Sequence, residues 1–331
     1  MESLNPISLS HLQSAMPNYG GNIACESGHF PVSYLELSKP TGKYVYRWVL
    51  KLVSRISAKG FIQYSGNACT PGLHFPHFNP NKGLEQFQSS PCGVLIVNVL
   101  NNQPHKDAIQ IPGEPFMNLK INSEWNTLDD YLMAMSSKYR VRNKKVLSVS
   151  QTVEKRLLSE LPPSEWVAPC ARLLGKTLKQ KTLAISPNLS EMLFNFSRSL
   201  KEDFKVWGYY HEDELIGFIT AITSDQSVFA MHLGINDAFA EEFSLYQRMM
   251  IDTIEWCILN KKTALCMGRT STEIKSTLGA EPIENSFLFY SKSRIIRIIL
   301  KFYRNFIHTS KPYVIRKPFK EQKNQPVLEN A

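Results

Sequence analysis

The residues best placed to do chemistry in this sequence are clustered cations. From Ser286 to Lys320 there are nine basic residues (Lys292, Arg294, Arg297, Lys301, Arg304, Lys311, Arg316, Lys317 and Lys320) and no acidic one, enough to account for the whole formal charge of +9. Arg294, Arg297, Lys301, Arg304 and His308 step by three or four residues along one narrow helical stripe. Ile295, Ile298, Ile299, Phe302, Tyr303 and Phe306 take the broad opposite face. Such a basic amphipathic helix either covers part of a core with a solvated charged edge, or lies on an anionic bilayer. There, apolar burial and about 1 kcal/mol per nearby Lys or Arg add together. Nucleic-acid phosphates are a third partner for such a face. A second cluster, Lys138, Arg140, Arg142, Lys144 and Lys145, is either a phosphate grip or the solvated side of a helix.

Metal and thiol chemistry is poorly represented. His74 and His77 form an HxxH without cysteine or carboxylate partners nearby, so no metal site is expected. The six cysteines (Cys25, Cys69, Cys92, Cys170, Cys257 and Cys266) contain no CxxC pair, and three sit in apolar segments as small hydrophobes. Disulfides and structural zinc are therefore not expected. The longest apolar run, Tyr131–Met135, is far short of the ~18 residues of a spanning helix, and the N-terminus lacks the basic start of a secretory signal. A cytoplasmic protein is expected, peripheral on the inner face of the membrane if the basic helix binds lipid.

These groups must be held by a folded scaffold, and 331 residues with 43% hydrophobic and 20% charged content suffice for two cores of roughly 100–200 residues each. The first 120 residues show a helical pattern at 43–59, a strand at 93–100 and a loop at 70–83. A long helix is predicted from Thr127, where Asp130 supplies a capping partner, through Tyr139, Val146, Val153 and Leu157 to Pro162-Pro163. Helices follow at 164–179 and 190–201, then strands at 204–211, 214–223 and 227–236, the first two joined by the polar turn His211-Glu212-Asp213. An apolar helix at 245–260, a strand at 263–267, a short helix at 271–278 stopped by Gly279 and a strand at 281–291 lead to the basic helix. This order makes a layered α/β domain.

The same order, with Ile235-Asn236-Asp237, Ser244-Leu245-Tyr246, Gly268-Arg269-Thr270-Ser271-Thr272-Glu273-Ile274-Lys275 and Gly279-Ala280, resembles the GNAT-type N-acyltransferases of the FemAB-like class. Trp125, Tyr131-Leu132, Lys138-Tyr139-Arg140 and Arg316-Lys317-Pro318-Phe319-Lys320 also resemble segments of these proteins. The resemblance implies a GNAT-like mixed, mostly antiparallel sheet flanked by helices, preceded by a smaller α/β domain that is either separate or a degenerate repeat of the same fold. The expected units are 1–120, an acyltransferase domain at 121–292, the basic helix and tail at 293–320, and a flexible terminus at 321–331.

Proteins of this class pass an acyl or aminoacyl group from a thioester or a charged tRNA to an amine without a covalent enzyme intermediate. The reacting carbonyl lies where two neighbouring strands splay, which the resemblance places at 227–236 and 263–267, with a backbone N–H near 231–234 as oxyanion donor. His232 on the first strand is then a candidate base, or simply a hydrogen-bonded sheet histidine. Tyr246 is a candidate proton donor to the leaving atom, or a packed aromatic. Arg269 could hold a donor phosphate or an acceptor carboxylate. Thr270 and Ser271, with Glu273, either cap the short helix or join Lys275, otherwise a surface lysine, in binding substrate. Lys138, Arg140 and Arg142 complete the substrate-binding set, Arg294, Arg297, Lys301 and Arg304 the membrane-contact set.

One stretch departs from the acetyl-CoA-dependent members. Where they carry a glycine-rich diphosphate loop, this chain has Asp237-Ala238-Phe239-Ala240-Glu241-Glu242-Phe243-Ser244. It has no glycine, and its three carboxylates repel a diphosphate; Glu241 or Glu242 could instead attract an amine. The leading expectation is an N-acyltransferase with no permanently bound cofactor, using acyl-CoA or acyl-carrier protein as co-substrate and acting on an amine of a lipid or cell-envelope precursor. The alternatives are an aminoacyl-tRNA-dependent transferase, the one case in which nucleic acid is a partner, and a non-catalytic GNAT-like protein that binds membrane or nucleic acid.

Overall fold

The computed structural model describes residues 32–34, 62–65, 85, 87–88, 93–100, 107–179, 188–307 and 313–320. The helix expected at 43–59, the loop at 70–83, the His74/His77 pair, Cys25, Cys69, Cys92, His308 and the terminus at 321–331 lie outside these residues. The larger sheet contains β5 (Phe116–Lys120), β6 (Glu154–Leu157), β7 (Phe204–His211), β8 (Glu214–Thr223), β9 (Ser227–Ile235), β10 (Ala264–Cys266) and β11 (Glu281–Ile283), in the order β11-β5-β10-β9-β8-β7-β6. Only β9 and β10 pair in parallel. A smaller sheet joins β1 (Val32–Tyr34), β2 (Ile62–Ser65), β3 (Val94–Leu100), β12 (Asn285–Ser291) and β4 (Ile109–Pro112), in that order. The fold is thus α/β with a mixed, mostly antiparallel main sheet, as the resemblance implied. The sheets exchange strands: β5, early in the chain, lies in the larger one, and β12, late, in the smaller.

Helices cover both faces of the larger sheet. On one face, α1 (Leu128–Ala134), α2 (Ser137–Val149) and α6 (Leu245–Leu259) build a core around Tyr131, Met249, Ile254, Ile219 and Leu265. On the other, α3 (Pro163–Lys179) and α4 (Leu189–Leu200) close over Phe204, Val206, Phe218 and Ile222 through Trp166, Leu174, Leu193 and Phe196. β8 is buried from Ile216 to Thr223 because both of its faces meet helices, hence its near-continuous apolar run. The hairpin turn before it places Glu212 and Asp213 at positive φ (48° and 63°), the geometry whose twist matches the flanking strands. Further helices are α5 (Asp237–Ala240), α7 (Thr272–Thr277) and α8 (Arg294–Ile307).

Two expected elements are divided. The long helix starts as expected: Thr127 Oγ1 accepts the Asp130 N–H at 3.2 Å and Asp130 Oδ2 accepts the Thr127 N–H at 2.9 Å. These bonds, with one from the Asn126 N–H, hold the Asp130 carboxyl below its usual range. The helix then breaks at Met135-Ser136, where residues 318–320 run alongside: the Ser136 N–H donates to the Pro318 carbonyl at 2.8 Å and the Lys320 N–H to that of Ala134 at 3.1 Å. Residues 154–157, expected as its last turn, form the edge strand β6, with Arg156 opposite Gly208. The strand expected over 281–291 is likewise two strands, parted at Glu284 and belonging to different sheets.

Candidate functional site

The site is built where β9 and β10 part. Their parallel pairing covers three positions, ending at Cys266 opposite Phe229. Beyond it the chain turns at Gly268 (φ +73°) and is drawn to β5: the Met267 N–H donates to the Met117 carbonyl at 2.8 Å, and the Met117 N–H to that of Gly268 at 3.1 Å. β9 instead continues to Ile235 beside β8.

A bulge in β9 sharpens the divergence. Ile219 pairs with Leu233 and Ala221 with Ala230, so the single residue Thr220 faces both Met231 and His232. Its hydroxyl oxygen accepts the His232 N–H at 2.9 Å and lies 3.4 Å from His232 Nδ1. The extra residue turns the imidazole onto the α3/α4 face, 5.7 Å from the Phe196 ring, while Leu233 and Ile235 return to the α6 face.

Tyr246 stands on that other face, in the first turn of α6, packed on the core and hydrogen-bonded to the Ser271 side chain. Burial pushes its phenol up to about 12, with the Ser271 bond acting weakly the other way. The group is thus a fully protonated donor at neutral pH. Ser271 occupies the N-cap position of α7, one of the two roles open from sequence, but at φ +51° it makes no side-chain bond to the helix. Thr270, also at positive φ (65°), and Ser271 form a strained corner.

Lys275 holds that corner. Read from sequence as either a surface lysine or a substrate-binding group, it is only 2% exposed, and its ammonium donates to the carbonyls of Gly268 at 3.1 Å and Arg269 at 2.6 Å. It fixes the loop from beneath, because the α7 turn points its side chain back along the chain. Arg269, directly after Gly268, lies 5.8 Å from the Phe116 ring centre and 5.7 Å from that of Phe287, where the two sheets meet. Among the described residues no carboxylate pairs with it, so its fork is available to an anionic group.

Tyr246, Ser271, Arg269 and Lys275 are therefore brought together, with His232 across the sheet from Tyr246. The other candidates lie elsewhere. Lys138 and Arg142 are exposed on α2 and Arg140 is half-buried there. Glu241 is exposed at the end of α5, and Arg294, Arg297, Lys301 and Arg304 are exposed on α8. A cavity of about 410 Å³ lies at the hairpin end of the sheet, lined by Arg172, Lys176, Tyr210, Asp213, Glu214 and Asn236 among others, and includes none of the candidates.

The stretch before α6 does not fit a diphosphate. The Phe239 N–H is bonded to the Asn236 carbonyl, Phe243 to Phe239 and Ser244 to Glu241, and Glu241 and Glu242 are exposed beside them. A helix end offers a phosphate site only through unused N–H groups and positive potential, and here these amides are turned inward with carboxylates alongside.

Three determinants were missed from sequence. Thr220, which sets the bulge, carries no signal beyond its β-branched strand propensity. Nor did spacing reveal that Lys275 is buried. The third is a buried cluster behind the site: Arg248 Nε lies 2.9 and 3.0 Å from the two Asp252 oxygens, and its Nη1 donates to the Ser150 carbonyl and hydroxyl, each at 2.8 Å. The i,i+4 spacing of Arg248 and Asp252 was the available clue.

Sheet order, parting strands and helices on both faces define a GNAT-like fold. No protein-family model matches the sequence, and no curated protein matches it. Among solved structures, L-PGS from Bacillus licheniformis is similar over 75% of this chain and 83% of its own, with TM-score 0.50 and 10% identity. FemX is similar over 67% and 78% (TM-score 0.46, 9% identity), and a tandem GNAT protein from the clavulanic acid biosynthesis pathway over 70% and 76% (TM-score 0.46, 12% identity). At these identities the likeness is one of fold.

Proposed function

We propose that this chain is an N-acyltransferase that moves an acyl group from an activated donor to an amine by direct attack. The observation that carries the reading is the end of the β9–β10 pairing at Phe229 and Cys266, with Tyr246 on one face of the sheet and His232 on the other. An amine held where the strands part forms its bond to the carbonyl carbon while His232 takes its proton. The bond to the leaving sulfur or oxygen breaks toward the α6 face, where the Tyr246 phenol supplies the proton. Arg269 anchors an anionic part of donor or acceptor near the opening. The donor is an acyl thioester, and the inward-turned amides before α6 favour one presented by a carrier protein over one held by the diphosphate of CoA. The acceptor is an amine of a lipid or cell-envelope precursor.

One observation favours a second donor. Lys138, Arg140, Arg142, Lys144 and Lys145 lie on α2 without an acidic residue in that helix, and among the described residues none of them meets a carboxylate. A cationic helix of this kind suits RNA phosphates, and with it an aminoacyl-tRNA. Purified protein would be offered acyl-CoAs, acyl-carrier protein and a mixed aminoacyl-tRNA pool, with donor loss followed by mass spectrometry. Tyr246→Phe and Arg269→Ala should each slow transfer roughly tenfold or more. A tRNA donor would show a steep loss of rate with salt. No donor consumption, or full rates in both variants, would refute the enzyme reading.

A further inference from the structure

We infer that α8 is a docking helix for an anionic lipid bilayer. The helix follows β12 directly, starts at Ser293, whose carbonyl accepts the Arg297 N–H at 3.1 Å, and packs on β4 and β12 with Ile296 and Leu300 half-buried. Its apolar side is not used up by this packing: Ile295, Ile298 and Ile299 are 70%, 60% and 48% exposed. The stripe opposed in sequence to the cations was expected to cover a core or a membrane, and these three isoleucines belong to none of the cores among the described residues.

Beside them on the exposed surface stand Arg294, Arg297, Lys301 and Arg304, and among the described residues none of the four meets a carboxylate. The wider segment around them, Ser286 to Lys320, carries no acidic side chain at all.

Charge and polarity together select the occupant. RNA would satisfy the cations and leave the isoleucines in water. A second copy of this face would cover the isoleucines but set its own four cations against these. A bilayer with anionic headgroups accepts both, taking the isoleucines to the depth of the acyl boundary and the guanidinium and ammonium groups at the phosphate level. No helix among the described residues is long and apolar enough to cross a membrane, so the contact is made by a helix lying in the interface.

The experiment is flotation of the full chain with vesicles of phosphatidylcholine and phosphatidylglycerol, against vesicles of phosphatidylcholine alone. Arg297→Glu/Arg304→Glu removes charge, and Ile295→Ser/Ile298→Ser removes apolar surface at exposed positions where folding is unaffected, checked by circular dichroism. Wild type should float with the anionic vesicles and not with the neutral ones, and each double variant should bind the anionic vesicles about tenfold or more weakly. Transfer to a water-soluble amine should be unchanged in both, which separates this inference from the catalytic one. Wild type that does not float overturns it, as does an isoleucine variant that floats like wild type. So does an isoleucine variant whose only change is conversion of a sedimenting dimer to a monomer.

Discussion

Replacing Lys275 by Met tests how the Gly268–Ser271 corner is held. Two carbonyls accept from the buried ammonium, at 3.1 and 2.6 Å, and a hydrogen bond to a charged donor contributes about 1.5–3 kcal/mol. Methionine matches the volume but donates nothing, so both carbonyls lose that partner. Against this loss stands the cost of keeping an ammonium out of water, several kcal/mol, which the variant no longer bears. The balance leaves a net destabilisation of about 1–3 kcal/mol, read as a lower urea midpoint with an unchanged slope. The local effect should be larger than the global one. Thr270 and Ser271 sit in the left-handed region at φ +65° and +51°, a conformation that costs about 1–3 kcal/mol per residue and persists only while neighbours enforce it. Released, the corner should swing out and part Ser271 from Tyr246, so amide exchange at residues 268–271 should rise more than tenfold while the α6 amides stay protected. A variant with the wild-type urea midpoint and unchanged exchange at these four amides would refute the claim that Lys275 enforces the loop.

Two further outcomes follow from buried polar groups. Arg248→Ala leaves the Asp252 carboxylate, whose side chain is 5% exposed, without the Nε–H that its two oxygens share; stability should fall by about 3–5 kcal/mol, measured by urea unfolding, and Asp252→Asn in the same background should restore part of it. Alkaline pH should also unfold the protein. Burial raises Tyr246, Tyr290 and Cys170 to about 12 from 10.0, 10.0 and 9.0, and raises Tyr131 and Tyr209 as well. The folded state therefore keeps protons that the unfolded state gives up. The stability is intact below pH 9, declines as the pH passes from there toward 12, and should appear as proton uptake on refolding at pH 11.

The elements that proved legible from sequence are those whose signal is local. The β7–β8 hairpin, α6 and the capping box at Thr127 are set by alternation, periodicity and short-range bonds, and they stand within a residue or two of expectation. The errors occur where distant chain decides. Nothing between 127 and 157 foretells that residues 318–320 will pair across Met135-Ser136 and divide the helix. Nor does Glu281–Ser291 show that its two halves will join different sheets. Tyr246 and Arg269 were singled out through the resemblance, and the structure places both near the Gly268–Ser271 corner. The burial of Lys275 was not foreseen, because a lysine at helical spacing reads as solvated unless the carbonyls it serves are known to lie beneath it.

The bulge at Met231-His232 ties these threads together. In an unbroken strand His232 would fall on the same face as Ala230 and Val228, with α6 and Tyr246, and the two side chains would share one side of the sheet. The extra residue opposite Thr220 moves it to the α3/α4 side and restores Leu233 and Ile235 to the core. Within the bulge the Thr220 hydroxyl accepts the His232 amide at 2.9 Å. Valine in place of threonine at 220 would keep the strand and the volume and lose that acceptor. The bulge, rather than the histidine alone, is what makes this sheet a candidate for chemistry at its opening.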